Sequence, residues 1–377
     1  MERFGIYIHI PFCKKKCKYC DFISFSCDED IQEKYLKSLI EEIKNREISK
    51  KREVTTIYIG GGTPSLVNPK YIGKILKEIK KKFELSKDVE ITIEINPGTV
   101  SKEKILEYKD IGINRISIGL QSTNDRILDL IGRIHNYNQF LDTYNIIKEE
   151  FENINIDLML AIPTQTEKEL LDSLYKVINL KPKHISIYSL IVEENTEIKQ
   201  MLDIGKIKYI DEETERKMYW KTKNVLEKNG FNHYEISNFA KKGFESKHNL
   251  DCWNQEEYLG FGLAAHSYID NKRFSNIDNL QKYIKNIENN ELDKNIILHE
   301  EQNRESKAKE FMMIGLRKIE GISISEFEKR FRINPLFYFR FEISKLTEEG
   351  LIEVDLDNIK LTKKGLDLAN IVFEEFI

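Results

Sequence analysis

The chain has few cysteines, no long apolar run and no excess of charge of one sign. Its 377 residues include five cysteines, an odd number that does not suggest a disulfide framework. No apolar run reaches the ~18 residues of a membrane span, and a strand pattern begins almost at once, so we expect neither a transmembrane helix nor a signal peptide. A net charge of −4 gives no global attraction to nucleic acid. These features favour a cytoplasmic protein of two or three domains with reduced thiols.

Three of the five cysteines, Cys13, Cys17 and Cys20, follow the first strand pattern with the spacing C-x3-C-x2-C. Three thiolates this close can bind three irons of a 4Fe-4S cluster and leave the fourth iron without a protein ligand. An open iron indicates an exchangeable small-molecule ligand, and therefore chemistry beyond electron storage. The alternative is that three unrelated thiols share a short loop.

Six β-branched runs alternate with amphipathic stretches along the first half of the chain. This alternation predicts a parallel sheet with helical crossovers, either an open doubly wound sheet or a full or partial barrel. Unusual residues follow five successive strands, which favours a barrel with its site at the carboxyl ends of the strands. The predicted strands are Gly5–Ile10, Thr55–Ile59, Val89–Ile95, Arg115–Gly119, Ile154–Leu160 and His184–Leu190. The predicted helices are Ile31–Ile48, Pro69–Phe83, Ser101–Asp110, Asp125–Glu149 and Glu167–Leu180.

The second half of the chain has a different pattern of predicted elements. After a polar helix ending near Lys228, residues Phe231–Ile236 either extend the sixth strand or form a new edge strand. The Gly/Ala-rich stretch Phe239–His266 is expected to be loop-like. From about Glu300, short helices, a hairpin and a final helix predict a winged-helix-like α+β module, whose balanced charge argues against DNA binding. We expect its aromatic residues to serve packing: Phe337, Tyr338, Phe339 and Phe341.

Several residues at the predicted strand ends suit ligand binding. Gly60-Gly61-Gly62-Thr63 lies between a strand and a helix, where glycines permit positive φ and close approach of a ligand to the backbone. It is not a P-loop, because no Gly-Lys-Ser/Thr follows. Glu94 ends a β-rich run, where a carboxylate can accept hydrogen bonds from ribose hydroxyls or an ammonium group. Gln121, Arg133 and Asp157 are weak signals individually, and they gain weight together because Gln121 and Asp157 are expected at strand ends on the same rim.

Four segments together resemble the radical S-adenosylmethionine (SAM) superfamily. They are Tyr7-Ile-His-Ile-Pro-Phe-Cys13 with its C-x3-C-x2-C spacing, Gly60-Gly-Gly-Thr-Pro-Ser65, Glu94-Ile-Asn-Pro-Gly98 and Ile118-Gly-Leu-Gln-Ser122. Within the superfamily the chain is similar to the branch of oxygen-independent coproporphyrinogen III oxidases and HemW heme chaperones. The resemblance implies a partial (β/α)6 barrel over residues 1–235, a connecting segment over 236–298 and a winged-helix-like domain over 299–377.

The resemblance also implies the cofactors and their residues. Cys13, Cys17 and Cys20 match the cluster ligands, and the amino and carboxylate groups of SAM chelate the fourth iron. The implied chemistry is one-electron cleavage of the sulfonium, which gives methionine and a 5′-deoxyadenosyl radical. The positions that match SAM contacts are Tyr7, Gly61, Gly62, Thr63, Glu94, Gln121, Arg133 and Asp157.

Three features separate the two branches. The decarboxylases carry a further cysteine two residues after the third, where this chain has Phe22, and they have a longer segment before the cysteines. The stretch His248-Asn249-Leu250-Asp251-Cys252-Trp253 resembles the HNxxYW heme motif of HemW proteins, with Cys252 in place of the usual tyrosine. His248 is then the expected heme partner, with Asn249 and Trp253 beside it.

The expected function is therefore a heme chaperone, with coproporphyrinogen III oxidase or another radical SAM tailoring or methylating enzyme as the alternatives. The expected partners are heme, an acceptor protein, and an electron donor such as flavodoxin or ferredoxin. Peripheral contact with membrane-bound acceptors is a further expectation, and nucleic acid is not expected.

Overall fold

The computed structural model of the chain describes residues 3–48 and 50–377. Six parallel strands lie side by side in chain order, and no hydrogen-bonded pair within these described ranges joins the two edges of their sheet. The fold is therefore the expected partial barrel. The strands are β1 (Arg3–Ile10), β2 (Glu53–Gly61), β3 (Glu84–Ile95), β4 (Arg115–Gln121), β5 (Ile154–Leu160) and β6 (His184–Ser189).

The crossover helices begin at short polar side chains. At each helix start, an Asp, Asn, Ser or Thr side chain accepts a hydrogen bond from a backbone N–H of the first turn, which satisfies a donor that has no partner within the helix. The region Asp125–Glu149, expected as one helix, contains two, because Gly132 takes a positive φ of 76° and Asn136 starts the second. The crossover helices are α1 (Glu29–Asn45), α2 (Pro69–Lys82), α3 (Lys102–Asp110), α4 (Asp125–Leu130), α5 (Tyr137–Ile147) and α6 (Glu167–Asn179).

Residues in the barrel strands alternate between two environments. The apolar set packs against the helices and is fully buried, as in Phe4, Ile6 and Ile8 of β1. Because strand side chains alternate between faces, the intervening residues point into the barrel. This interior set is polar and comes from all six strands: Tyr7, His9, Thr56, Tyr58, Glu90, Glu94, Arg115, Ser117, Asn155, Asp157, His184 and Ser186.

The chain extends the sheet at both edges beyond the barrel. β7 is an edge strand, so Phe231–Ile236 forms a new edge strand and does not extend the sixth strand. β8 lies between β7 and β6 and pairs with both. On the other edge β9 pairs in parallel with β1 and leads to three antiparallel strands. The expectation of a loop-like Phe239–His266 was wrong, because this stretch contains β8, α9 and β9. The added strands are β7 (Asn232–Glu235), β8 (Asn238–Ala240), β9 (Glu257–Phe261), β10 (His266–Ile269), β11 (Lys272–Asn276) and β12 (Ile296–Glu301).

The helices of this part are α7 (Glu197–Asp203), α8 (Glu212–Lys228), α9 (Lys247–Trp253) and α10 (Leu280–Glu288). Across the described ranges, no helix is both long enough and apolar enough to traverse a lipid bilayer.

The C-terminal module has its own apolar core. Its helices and small sheet follow the winged-helix-like order, but the expected aromatic packing was only partly right. Phe339 is 3% exposed and lies in the core, whereas Phe337 and Phe341 are 69% and 72% exposed. The elements are α11 (Arg304–Gly315), β13 (Ile322–Ser323), α12 (Ile324–Phe331), α13 (Pro335–Tyr338), α14 (Arg340–Glu348), β14 (Ile352–Val354), β15 (Asn358–Leu361), α15 (Lys363–Asp367) and α16 (Ala369–Glu374).

Candidate cofactor site

The cysteine loop follows β1 at the carboxyl end of the barrel, and backbone hydrogen bonds fix it there. The N–H of Cys13 donates to the carbonyl of Phe25 at 3.1 Å, and the N–H of Lys18 donates to the carbonyl of Ile131 at 3.0 Å. The three cysteines are all half-buried. The loop therefore holds its thiols at the barrel rim, within reach of a bound ligand.

Two thiols contact polar groups of neighbouring strands and loops. Cys13 Sγ lies 3.6 Å from Thr63 Oγ1, and Cys17 Sγ lies 3.6 Å from Nη1 of Arg133. Within residues 3–48 and 50–377, no three His, Cys, Asp or Glu side chains converge on a position for a single metal ion. A 4Fe-4S cube needs no such convergence, because each thiolate binds a different iron. Three thiols, one of them beside a guanidinium, thus fit the cluster in their donor chemistry.

The glycine turn after β2 is shaped by close packing. Gly61 has a φ of 112°, and a Cβ there would lie 2.6 Å from the ring of His9. A Cβ on Gly62 would lie 2.8 Å from the backbone carbonyl oxygen of Phe12, and one on Gly60 would lie 3.0 Å from Glu94 Oε1. The three glycines therefore let the turn fit between the cysteine loop and Glu94.

Glu94 is the carboxylate next to this turn. Its Oε2 accepts a hydrogen bond from the N–H of Gly61 at 3.1 Å, and its Oε1 accepts one from the hydroxyl of Tyr58 at 2.8 Å. Burial inside the barrel raises the pKa of Glu94 to about 7, and the nearby carboxylate of Asp157 adds to the rise.

Asp157 lies in the middle of β5 and not at its end. It accepts hydrogen bonds from Asn155 at 2.7 Å and Ser117 at 3.2 Å, and burial raises its pKa. Tyr7 stacks on Tyr58 with ring centroids 6.3 Å apart, and its hydroxyl lies 2.9 Å from Nδ1 of His9. Tyr7, Glu94 and Asp157 therefore lie together in the barrel interior, where the charges of these groups influence one another.

Asn96, to which the sequence analysis assigned no role of its own, joins Thr63 of the glycine turn to Arg133. Its Nδ2 donates to Thr63 Oγ1 at 2.7 Å, and its Oδ1 accepts from Nη2 of Arg133 at 2.7 Å. Asn96 belongs to the Asn-Pro-Gly turn, whose position after β3 was the available signal. Gln121 adopts a φ of 72°, which is uncommon for a residue other than glycine, and its Nε2 would lie 3.2 Å from a Cβ on Gly119. Arg133 and Gln121 therefore meet beside Gly119.

His248 lies on α9 towards the opposite end of the barrel. Its Nδ1 is 2.9 Å from Thr56 Oγ1, its ring stacks on Tyr58 with centroids 5.2 Å apart, and the side chain is only 8% exposed. The carboxylate of Glu90 accepts the N–H groups of Lys247 and His248 at 3.3 and 3.2 Å, so it holds the start of α9. Burial lowers the pKa of His248 to about 4, with Arg115 adding to the effect, so its imidazole is neutral at pH 7.

Trp253 lies at the other end of α9, against the C-terminal module. The guanidinium of Arg317 lies 4.5 Å from the centroid of its ring, and the buried indole N–H has no acceptor among the residues that the structure describes. Asn249 is half-buried on the same helix. The residues of the expected heme motif are therefore divided between the barrel interior and the module.

Comparisons with known proteins match both parts of the chain. The family model of the Radical SAM superfamily matches residues 7–175, and that of the HemN C-terminal domain matches residues 302–368. The heme chaperone HemW of Lactococcus lactis is 38% identical over 98% of this chain and 96% of its own length. The chain belongs to the HemW family of radical SAM proteins. The heme chaperone HemW of Bacillus subtilis is 37% identical over 98% of both chains.

The HemW-family chain also matches a solved structure. Coproporphyrinogen III oxidase (HemN) from Escherichia coli, a radical SAM enzyme, superposes with a TM-score of 0.86 at 23% identity, over 100% of this chain and 90% of that chain. This match confirms the fold class. Membership in the radical SAM superfamily implies a 4Fe-4S cluster and SAM.

Proposed function

We propose that this chain is a cytoplasmic heme chaperone that binds heme and transfers it to an acceptor protein, with a 4Fe-4S cluster and SAM as its cofactors. The observation that carries the proposal is similarity along the whole chain to proteins named heme chaperone HemW, at 34–38% identity for four of them. The coproporphyrinogen III oxidase of known structure shares the fold at 23% identity.

The residues at the barrel rim support the cofactor assignment. Cys13, Cys17 and Cys20 would hold the cluster, and Arg133 and Thr63 would stabilise its sulfurs through charge and hydrogen bonding. When bound, the cluster and SAM supply reductive cleavage of the sulfonium. The glycine turn, Glu94 and Asp157 would orient SAM through backbone groups and carboxylates, with Tyr7 and Gln121 completing the pocket.

His248, Asn249 and Trp253 are proposed to bind heme. A neutral imidazole is a good iron ligand. The indole N–H of Trp253, which has no acceptor within residues 3–48 and 50–377, is a donor that suits a propionate. Since His248 is buried against Thr56 and Tyr58, ligation of heme iron by His248 requires α9 to move away from the barrel. Cys252, where the family motif has tyrosine, is half-buried on the same helix, and burial raises its pKa to about 12. Its sulfur is therefore a neutral thiol and a weak competitor for iron.

The remaining partners are proposed on chemical grounds. Reduction of the cluster requires a one-electron donor, such as flavodoxin or ferredoxin, and the exposed Lys14, Lys15 and Lys16 would attract an acidic one. Heme acceptors in membranes would require only peripheral contact.

The test is a heme titration of the anaerobically reconstituted protein. The wild type should bind one heme per chain with a Soret band, and His248→Ala should lose it. The control variant His299→Ala changes a histidine on the exposed strand β12 and should bind heme as the wild type does. If His248→Ala binds heme normally, the ligand assignment is wrong, and if the wild type binds none, the chaperone proposal is wrong.

A further inference from the structure

Tyr58 occupies the barrel interior between the two proposed ligand sites. One neighbour of its ring is Tyr7, with centroids 6.3 Å apart and planes 24° apart, and another is His248, at 5.2 Å and 27°. Its hydroxyl donates to Glu94 Oε1 at 2.8 Å. A single side chain therefore touches the histidine of α9 and two residues of the SAM pocket.

We propose that Tyr58 is a positioning residue that couples His248 to Glu94, so that SAM binding at the rim and displacement of α9 influence each other. The inference deepens the proposed function and rests on it for the identity of the two ligands.

Glu94 is held through both of its carboxylate oxygens. One of its oxygens is held by the Gly61 N–H and the other by Tyr58, so the Tyr58 hydroxyl fixes the rotation of the carboxylate next to the glycine turn. Without that hydroxyl, the hydrogen bond from the Gly61 N–H is the one that Glu94 would keep among the residues that the structure describes. A carboxylate with one fixed oxygen is less well oriented for a ligand.

The ring of Tyr58 stacks on His248. His248 is held against it by Thr56 and, through the helix start, by Glu90. If α9 withdraws to present His248 to heme, one neighbour of the Tyr58 ring is removed. The ring can then shift, and the shift passes directly to Glu94 through the hydroxyl.

If heme favours α9 in the withdrawn position and SAM favours the ordered Glu94, the two ligands share one structural equilibrium. Coupling of binding free energies is reciprocal, so heme must change SAM affinity by the same factor by which SAM changes heme affinity. The contacts of Tyr58 make this coupling negative, because withdrawal of α9 loosens the pocket that SAM uses.

The test uses Tyr58→Phe in the cluster-reconstituted full chain, which keeps the ring and removes the hydroxyl. The matched control is Tyr144→Phe, because the Tyr144 hydroxyl also makes one hydrogen bond, to the carbonyl of Leu180 at 3.0 Å, on the remote helix α5. SAM affinity is measured by calorimetry without heme. We expect Tyr58→Phe to weaken SAM binding about tenfold, as for loss of a hydrogen bond to a charged group, and Tyr144→Phe to change it less than about twofold.

His248→Ala supplies a second arm that needs no heme. It should weaken SAM binding about threefold by removing one neighbour of the Tyr58 ring, and the double variant should be less than multiplicative. Multiplicative effects, or equal SAM affinity in Tyr58→Phe and Tyr144→Phe, would overturn the coupling. Thermal midpoints show whether each variant is folded.

The heme arm then tests reciprocity. In the wild type, saturating heme should weaken SAM binding severalfold, and in Tyr58→Phe this effect should shrink. Unchanged SAM affinity on heme saturation of the wild type would also overturn the proposal. Absence of any heme binding would instead refute the proposed function. The heme-free comparison of the variants would still show whether the hydrogen bond between Tyr58 and Glu94 affects SAM binding.

Discussion

Nη1 of Arg133 lies 3.6 Å from Sγ of Cys17. The same guanidinium donates through Nη2 to Asn96 and to the carbonyl of Gly119, so its position is fixed by the loop after β3 and by β4. A fixed cation next to a cluster thiolate stabilises the more negative, reduced state of the cluster.

Arg133→Gln should therefore make the cluster harder to reduce and shift its potential to a more negative value. Arg133→Lys should retain part of the charge effect but lose the hydrogen bonds of the planar guanidinium. A redox titration followed by electron paramagnetic resonance measures the shift. An unchanged potential in Arg133→Gln would show that the guanidinium does not act on the cluster.

Replacement of Cys17 by alanine should abolish the 4Fe-4S cluster, because a ligand of one iron is lost. Cys27→Ala is the matched control, since Cys27 is a half-buried thiol that follows the same loop. Iron content and visible absorbance after anaerobic reconstitution measure the result. A full cluster spectrum in Cys17→Ala would contradict the ligand assignment.

SAM affinity should depend on the ionisation of Glu94. Its pKa of about 7 in the folded chain is above the ordinary value of 4.5, so the folded state holds a proton there between these pH values that the unfolded state has lost. Because a carboxylate is the better acceptor for an ammonium or ribose hydroxyl, affinity should rise about tenfold from pH 6 to pH 8. Glu94→Gln should flatten this dependence in calorimetry.

The same shift predicts a stability effect of defined sign. A carboxyl group with a raised pKa favours folding below pH 4.5, and that contribution is lost as pH rises towards 7. The thermal midpoint of Glu94→Gln, measured relative to that of the wild type, should therefore rise between pH 5 and pH 8. A constant difference would show that Glu94 titrates normally.

The parts of the site that sequence predicted are local ones. The cysteine spacing and the glycine turn each lie within one short segment that ends a strand, so their position at the rim follows from the βα alternation. The contact of Tyr58 with Glu94 depends on how β2 pairs with β3, with Tyr58 opposite Thr92. No local pattern specifies that pairing, and Tyr58 was missed for this reason. Glu90 was missed because its partners, the first N–H groups of α9, are distant in the sequence.

The stretch 239–266 was misjudged because its elements are short and stabilised at long range. β9 exists because it pairs with β1, from Phe4 opposite Glu257 to Ile8 opposite Phe261. α9 is seven residues long and depends on Glu90 in β3. The local composition is rich in glycine and alanine and gives no indication of either partner.

Glu90→Gln should loosen α9, because it removes the charge that holds the first N–H groups of the helix. The expected loss is about 1 kcal/mol of local stability, or about fivefold faster amide exchange over residues 247–253. Hydrogen-exchange mass spectrometry measures it, with the peptides of α5 as internal reference. Equal exchange in both proteins would mean that other contacts hold α9.

The aromatic residues of the C-terminal module should separate into two classes. Phe339→Ala removes a buried ring that packs edge-on against Phe327 and Phe376, and should cost about 3 kcal/mol or more. Phe337→Ala changes an exposed ring and should cost less than about 0.5 kcal/mol. Denaturant unfolding of the two variants gives the comparison, and similar losses would contradict the placement of these rings.

The central proposal is that the chain binds heme and transfers it, and decarboxylation of a porphyrinogen is the alternative. The most direct measurement is chromatography of the products formed when reconstituted protein, SAM and a reductant are incubated anaerobically with heme and, separately, with coproporphyrinogen III. We predict one bound heme per chain, recovered unchanged, and unconverted coproporphyrinogen III. Turnover of coproporphyrinogen III to protoporphyrinogen IX, with no heme bound, would contradict the account.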